Sequence, residues 1–342
     1  MISRRRFLQL AGAAALSTTL PKRSRVRAAQ ELPTEPILTG RVIEYAGMFE
    51  QPSYAATKIK GFGHDTLLPI YEIVESEGGY NRTWYRTDEG YVYSSNVIPM
   101  EPYTEAPPLV TDIGEWGMWA QVVAPWSESL IEPREGADFM YRLYYSSVHR
   151  IIETRQDFTG TWWYKIDDPR YSEIYWASAA HLRVIDPEEF APINPDVEDK
   201  RIEISLGAHV LAAYEGDEVV LQTEISSGDT FFWEDGTTDY FETPGGSYQV
   251  SMKAPARHMG SRGTLGSFDY PGVPWCTFFG DRGLAIHGTY WHNDYGTDRS
   301  HGCINMRPEE ALWVFRWTMP EVPYESEYLP TAWERTTPII IY

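Results

Sequence analysis

The sequence predicts a mainly β protein assembled from several small units. Three observations carry that reading. At 342 residues the chain is longer than one small domain needs. Aromatic residues reach 14%, with 23 Tyr and 13 Trp, a composition that favours strands and aromatic-lined grooves. Short runs of alternating hydrophobicity recur along the chain, separated by Gly, Pro and Asn. The 42% hydrophobic and 23% charged residues are those of a folded globular chain, not a disordered one. A net charge of −20 argues against a nucleic-acid partner, because phosphate neutralisation needs a basic surface. Two cysteines, Cys276 and Cys303, exclude both a disulfide framework and a four-cysteine zinc site.

The chain opens Met1-Ile2-Ser3-Arg4-Arg5-Arg6-Phe7-Leu8, and a small-residue apolar run continues to Leu20. That run is shorter than the ~20 residues needed to span a bilayer. Ser-Arg-Arg-x-Phe-Leu resembles the twin-arginine export signal, and the bases Lys22, Arg23, Arg25 and Arg27 after the core fit that class. The resemblance implies export to the periplasm, cell wall or exterior, with residues 1–29 removed near Ala28-Ala29. An uncleaved amphipathic anchor is the plainer alternative. Residues 1–29 hold seven bases and no acid, so the processed chain would carry −27. Such a protein repels polyanions. No later segment reaches eighteen apolar residues, so the processed chain is not expected to span a membrane.

From Gly40 to about Met100, strand signals such as Arg41-Val42-Ile43-Glu44-Tyr45 and Leu68–Val74 lie close together. The stretch closes on Trp84-Tyr85-Arg86 and Gly90-Tyr91-Val92-Tyr93. Trp163-Tyr164-Lys165 and Tyr175-Trp176-Ala177 echo it about eighty residues later, the mark of a duplicated unit. Each unit resembles a bacterial SH3-like domain, which implies two small β-barrel modules, at residues 38–103 and 115–186. Trp84, Tyr91, Trp163 and Tyr175 are expected in the cores, leaving Trp116, Trp119 and Trp126 as candidates for a ligand groove. The Pro- and acid-rich stretch 187–199 reads as a linker.

From Arg201 the pattern is a clear meander: Arg201–Leu206, Val210–Tyr214 and Val219–Ile225 read as strands joined by tight turns. Pro308-Glu309-Glu310 starts a helix, with Pro at its first position and acids in its first turn. Between them lies the chemistry: Ala285-Ile286-His287-Gly288, a spacer, then Arg299-Ser300-His301-Gly302-Cys303-Ile304-Asn305. A thiolate is a strong nucleophile that a nearby imidazole can generate. In extended backbone His301 and Cys303 would point to one side. The backbone N–H groups of Gly302 and Cys303 are candidate oxyanion donors.

His-Gly, a spacer, then Ser-His-Gly-Cys-x-Asn resembles the L,D-transpeptidase catalytic domain, or YkuD domain. The Thr-Pro-x-Gly-x-Tyr element at Thr243–Tyr248, the helix and the terminal strand Pro338–Ile341 follow in the family's order. The resemblance covers residues 200–342 and implies a sandwich-like β domain with few helices. It implies that Cys303 is the acyl-accepting nucleophile, His287 its general base and the Gly288 carbonyl the group that orients the imidazole. His301 and Ser300 would shape the pocket. Many relatives carry Arg where Asn305 stands, so a grip on a substrate carboxylate would fall to Arg299 or Arg307. No metal and no organic cofactor is implied, although His287, His301 and Cys303 could in principle hold zinc. Cys276 and His292 are expected as a core residue and a loop residue. The Gly- and Pro-containing stretch 257–272 reads as a mobile lid.

The reaction implied is exported peptidoglycan L,D-transpeptidation, with stem peptides as partners and 3→3 crosslinks as product. A wall-directed L,D-carboxypeptidase and a non-catalytic wall-binding protein are the alternatives. The sequence leaves the oligomeric state open.

Overall fold

The computed structural model describes residues 33–77, 80–232, 236–261, 268–280, 283–330 and 335–342. The export-signal reading of 1–29 falls outside these. Met1–Thr34 is one unit and Glu35–Tyr342 another, and the fold below is that of the second.

The alternating runs of the first module form short strands, β1 Leu38–Val42, β2 Tyr45–Phe49, β3 Lys58–Gly63, β4 Leu67–Ile70, β5 Glu72–Glu75, β6 Thr83–Arg86, β7 Tyr91–Tyr93 and β8 Val97–Met100. They make two small sheets, ordered β4-β1-β8 and β3-β2-β7-β6-β5. Val42, Met48, Ile70, Tyr85, Val92 and Val97 fill the core.

The second module runs through β9 Met118–Val122, β10 Trp126–Leu130, β11 Phe139–Tyr144, β12 Val148–Gln156, β13 Trp162–Asp168, β14 Glu173–Ser178 and β15 Leu182–Val184. These join in one sheet, β11-β10-β14-β13-β12-β9-β15, over a core of Val122, Leu143, Ile151, Tyr164 and Tyr175. The echo seen in the sequence has a structural counterpart. Both modules pass from their closing hairpin to their last strand through a 3₁₀ turn, Ser94–Asn96 and Ala179–His181. Trp84, Trp163 and Tyr175 are buried as expected, but Tyr91 is half-buried.

Trp119 is not a groove aromatic. It is buried, its backbone N–H donates to the Tyr324 hydroxyl (2.9 Å), and its indole N–H donates to the Tyr324 carbonyl (2.8 Å). The expected linker is likewise not a free tether. Asp186 and Glu189 form a capping box on a 3₁₀ turn, Pro187–Phe190. That turn presents Phe190 to Trp275 and Tyr324 at 5.6 and 5.0 Å between ring centroids. An apolar anchor inside a polar stretch decides this outcome, since burying one Phe contributes about 1.5–3 kcal/mol.

The C-terminal part begins with the expected meander, β16 Lys200–Ser205, β17 Val210–Glu215 and β18 Glu218–Glu224. Then come β19 Ser227–Gly228, β20 Thr230–Phe232, β21 Thr238–Tyr240, β22 Gly246–Gly260, β23 Asp269–Phe279, β24 Leu284–Gly288, β25 Asp298–Ser300 and β26 Ile304–Met306. Helix α1 Pro308–Trp317 and strands β27 Leu329–Pro330 and β28 Pro338–Ile341 complete it. The main sheet is ordered β18-β17-β16-β28-β22-β23-β24-β26, with β27 beside β22. The terminal strand thus inserts in the middle, parallel to β16 (Ile202 opposite Ile339) and antiparallel to β22 (Tyr248 opposite Ile339). Helix α1 buries Ala311, Val314, Phe315 and Trp317 against this sheet. It is the α-helix of the described residues, so the fold is mainly β with few helices, as predicted.

The stretch 257–272, expected as a mobile lid, has strand at both ends. Its ends belong to β22 and β23, paired Arg257 to Val273 and Gly260 to Asp269, and its tip lies outside the described residues.

Candidate active site

Strands β24 and β26 are parallel neighbours, with Ile286 opposite Ile304 and His287 opposite Asn305. The spacer of the sequence motif is therefore a crossover that returns the chain beside His287. Cys303 immediately precedes β26, and His287, His301, Cys303 and Asn305 all line one cavity of about 760 Å³. Trp291, Tyr270, Phe268 and Phe231 supply apolar walls.

His287 is buried. Its orientation can be deduced from a chain of hydrogen bonds with one fixed direction. The Asp294 backbone N–H donates to His292 Nδ1 (3.2 Å), so the His292 proton sits on Nε2. That Nε2–H donates to Asn305 Oδ1 (2.9 Å). Asn305 then has its amide group left to donate to His287 Nε2 (3.2 Å). His287 consequently carries its proton on Nδ1 and donates it to the Gly288 carbonyl (3.0 Å), the orienting contact that the motif implied. Burial lowers the pKa of His287 to about 4, against the opposing effect of the Gly288 carbonyl. Burial lowers His292 to about 4 as well. Both rings rest neutral. Burial also pushes the Cys303 thiol up to about 11, with a smaller opposing effect from the backbone at Ala285. The resting pair is thus thiol and imidazole, not a standing thiolate and imidazolium.

The Cys303 approach differs from the extended backbone expected. β25 ends at Ser300 and β26 starts at Ile304, and Gly302 has φ +108°, a region that favours glycine. The Ser300 hydroxyl donates to the Cys303 carbonyl (2.6 Å) and accepts from the Gly302 N–H (3.0 Å). The Gly302 carbonyl accepts from the Thr243 hydroxyl (2.9 Å). Ser300 therefore ties the turn, and the Gly302 N–H is already used, which leaves the Cys303 N–H as the remaining candidate of the predicted pair. His301 stacks on Phe231 at 4.4 Å between centroids, with Phe268 and Phe241 each at 4.7 Å.

Arg299 lines the cavity and pairs with Asp294 (3.4 Å), whereas Arg307 faces Glu224 and Glu310 (3.6 Å each) and lines a different cavity. Arg170 and Arg257, which the sequence reading passed over, also line this cavity. His292, read as a loop residue, does lie in a loop, but its burial against Asn305 was missed. Its two-sided bonding leaves no local sequence signal. Cys276 is wholly buried, as expected, and both cysteines are free.

Residues 199–341 match the YkuD family, the L,D-transpeptidase catalytic domain. No curated protein matches the chain. Among solved structures, a mutant of the Enterococcus faecium L,D-transpeptidase is 25% identical over 43% of this chain and 50% of its own, with a TM-score of 0.32. The L,D-transpeptidase of Xylanimonas cellulosilytica is 25% identical over 42% of this chain and 60% of its own, with a TM-score of 0.29. The chain therefore spans less than two thirds of the length of either. An L,D-transpeptidase from Mycobacterium smegmatis is 17% identical over 58% of this chain and 89% of its own, with a TM-score of 0.32. The part of the chain that holds His287, Cys303 and Asn305 thus carries the L,D-transpeptidase catalytic domain, YkuD.

Proposed function

We propose that the protein is an exported peptidoglycan L,D-transpeptidase acting through a cysteine acyl-enzyme. The observation that carries this is the convergence of Cys303, the hydrogen-bonded His287 and the Gly302 turn on one large cavity within the matched catalytic domain.

Cys303 Sγ attacks the carbonyl of the third stem residue, an L-centre, while its proton passes to His287 Nε2. The neutral imidazole with Nδ1–H on the Gly288 carbonyl is the form that can take it. For that transfer Asn305 must give up its contact with Nε2. The carbonyl oxygen gains charge within reach of the Cys303 N–H. The C–N bond to D-alanine then breaks, the imidazolium returns the proton to the leaving amine, and a thioester remains. An amine on a second stem attacks the thioester, restores the thiol and completes a 3→3 crosslink. Arg170, Arg257 and Arg299 all line the cavity, and any of them would suit a substrate carboxylate. The two N-terminal modules, taken as SH3-like barrels, would hold the enzyme at the wall.

Incubation of the protein with tetrapeptide stems, followed by mass spectrometry, tests this reading. Crosslinked dimers with loss of D-alanine are expected. Tripeptides alone would make it a carboxypeptidase, and unchanged stems would overturn both enzymatic readings.

A further inference from the structure

The cavity that holds Cys303 has one wall from outside the catalytic domain. Ile43, Glu44 and Tyr45 of the first module line it, and so do Ser95 and Asn96. The first group is the β1–β2 turn, and the second belongs to the 3₁₀ turn before β8. The Ile43 N–H donates to the Asn96 carbonyl (3.0 Å), which ties the two turns together.

The same module is fastened to the crossover that follows His287. The Arg41 guanidinium donates to the Tyr290 carbonyl (2.9 Å). The Asn293 side-chain amide donates to the Ser94 and Val97 carbonyls (3.2 Å each). The Ser95 and Tyr80 hydroxyls both donate to Asp294 Oδ1 (2.7 Å each). Arg41, Ser95 and Asp294 are buried, and a buried polar group that loses its partner costs about 1–3 kcal/mol. This wall is therefore a built part of the cavity.

Charge gives the wall its chemistry. Arg170, Arg257 and Arg299 line the cavity, and Glu44 is the one carboxylate among its described lining residues. Glu44 is exposed, and among the described residues no hydrogen bond or ion pair engages its side chain. Its charge is felt inside the cavity, at the Tyr270 phenol. Burial raises that phenol's pKa, Glu44 raises it further, and Arg299 opposes both. Glu44 and Arg299 thus act on one hydroxyl, whose ring stacks on Trp291 at 4.0 Å between centroids.

The reaction proposed above brings a primary amine into this cavity, carried by the second stem. With a pKa of about 10, such an amine arrives at neutral pH as an ammonium ion. The three arginines repel it, whereas a carboxylate without a partner attracts it. Tyr270 and Trp291, which also line the cavity, offer it aromatic faces.

We propose that Glu44 of the first module binds the side-chain ammonium of a diamino residue in a stem peptide, so that the module completes the substrate site. That the ligand is a stem peptide rests on the transpeptidase reading.

The test uses the full chain carrying Cys303→Ala, which would bind stems without turning them over. The probes are tetrapeptide stems with lysine or diaminopimelate as third residue, each with its side-chain amine free or acetylated. Calorimetry should show the free amine binding about five- to tenfold more tightly than the acetylated one. In Cys303→Ala/Glu44→Gln that preference should vanish, with the melting temperature unchanged because Glu44 is exposed. A preference that survives in the folded double variant, or no preference in Cys303→Ala, would overturn the proposal. Turnover by Glu44→Gln alone then tells donor from acceptor. A general fall in D-alanine release places the ammonium on the donor stem. A fall in crosslinked dimers relative to tripeptides places it on the acceptor. The subsite and the transpeptidase reading fail separately. A Glu44-dependent preference in a protein that turns over no stem keeps the subsite and removes the transpeptidase. Turnover with a Glu44-independent preference does the reverse.

Discussion

At the scale of single residues, the site rests in its uncharged form, and this has a measurable consequence. With the Cys303 thiol pushed up to about 11, its alkylation by iodoacetamide should quicken about tenfold per pH unit from pH 7 and show no plateau below pH 10. A plateau near pH 7 would mean a standing thiolate, contrary to the raised thiol pKa. Asn305 offers a second test. It accepts from His292 and donates to His287, so Asn305→Ala leaves two buried ring nitrogens without their partner. An unpaired buried group costs ~1–3 kcal/mol, so kcat/KM should fall about tenfold or more. The pH profile on the acid side should also move, because His287 Nε2 loses a donor that favours its neutral form. A change in melting temperature with unchanged activity and pH profile would assign Asn305 a purely structural part. The His287–Gly288 contact was legible only through the family resemblance, which implied it. The His292 link was not, since it depends on a side chain that reaches the site from within the crossover and matches no local pattern.

At the scale of elements, strands were legible wherever alternation was undisturbed, as in β16, β17 and β18. Sequence failed where one residue type served two ends. Trp119 reads as a loose aromatic, yet its indole is spent on Tyr324, two hundred residues away in the chain. Residues 187–199 read as a tether by composition, but Phe190 outweighs the acids around it. The Gly and Pro positions between Arg257 and Gly272 suggested a loop, although cross-strand pairing continues out to Gly260 and Asp269. Trp119→Ala should therefore cost about 3–5 kcal/mol, the range for a buried tryptophan, measured by urea unfolding with the slope unchanged. A loss below 1 kcal/mol would return Trp119 to the role of surface aromatic.

At the scale of the whole molecule, Glu35–Tyr342 is one compact unit, although its sequence divides into three. Trp119, Val148, Ile185 and Phe190 belong to the same apolar cluster as Ile202, Trp275 and Phe315 of the catalytic domain. Composition could not reveal this, because shared burial between segments leaves no periodicity in either. The unit shows why the two cysteines matter separately. Cys276 is wholly buried on β23, whereas Cys303 opens on the cavity. The central claim is that Cys303 is the acyl-accepting nucleophile, and a carbapenem, which acylates nucleophiles, tests it most directly. Intact-mass measurement of the full chain should show one covalent adduct in the wild-type and Cys276→Ala proteins and none in Cys303→Ala. An adduct that persists in Cys303→Ala, or one that disappears from a folded Cys276→Ala protein, would contradict the account.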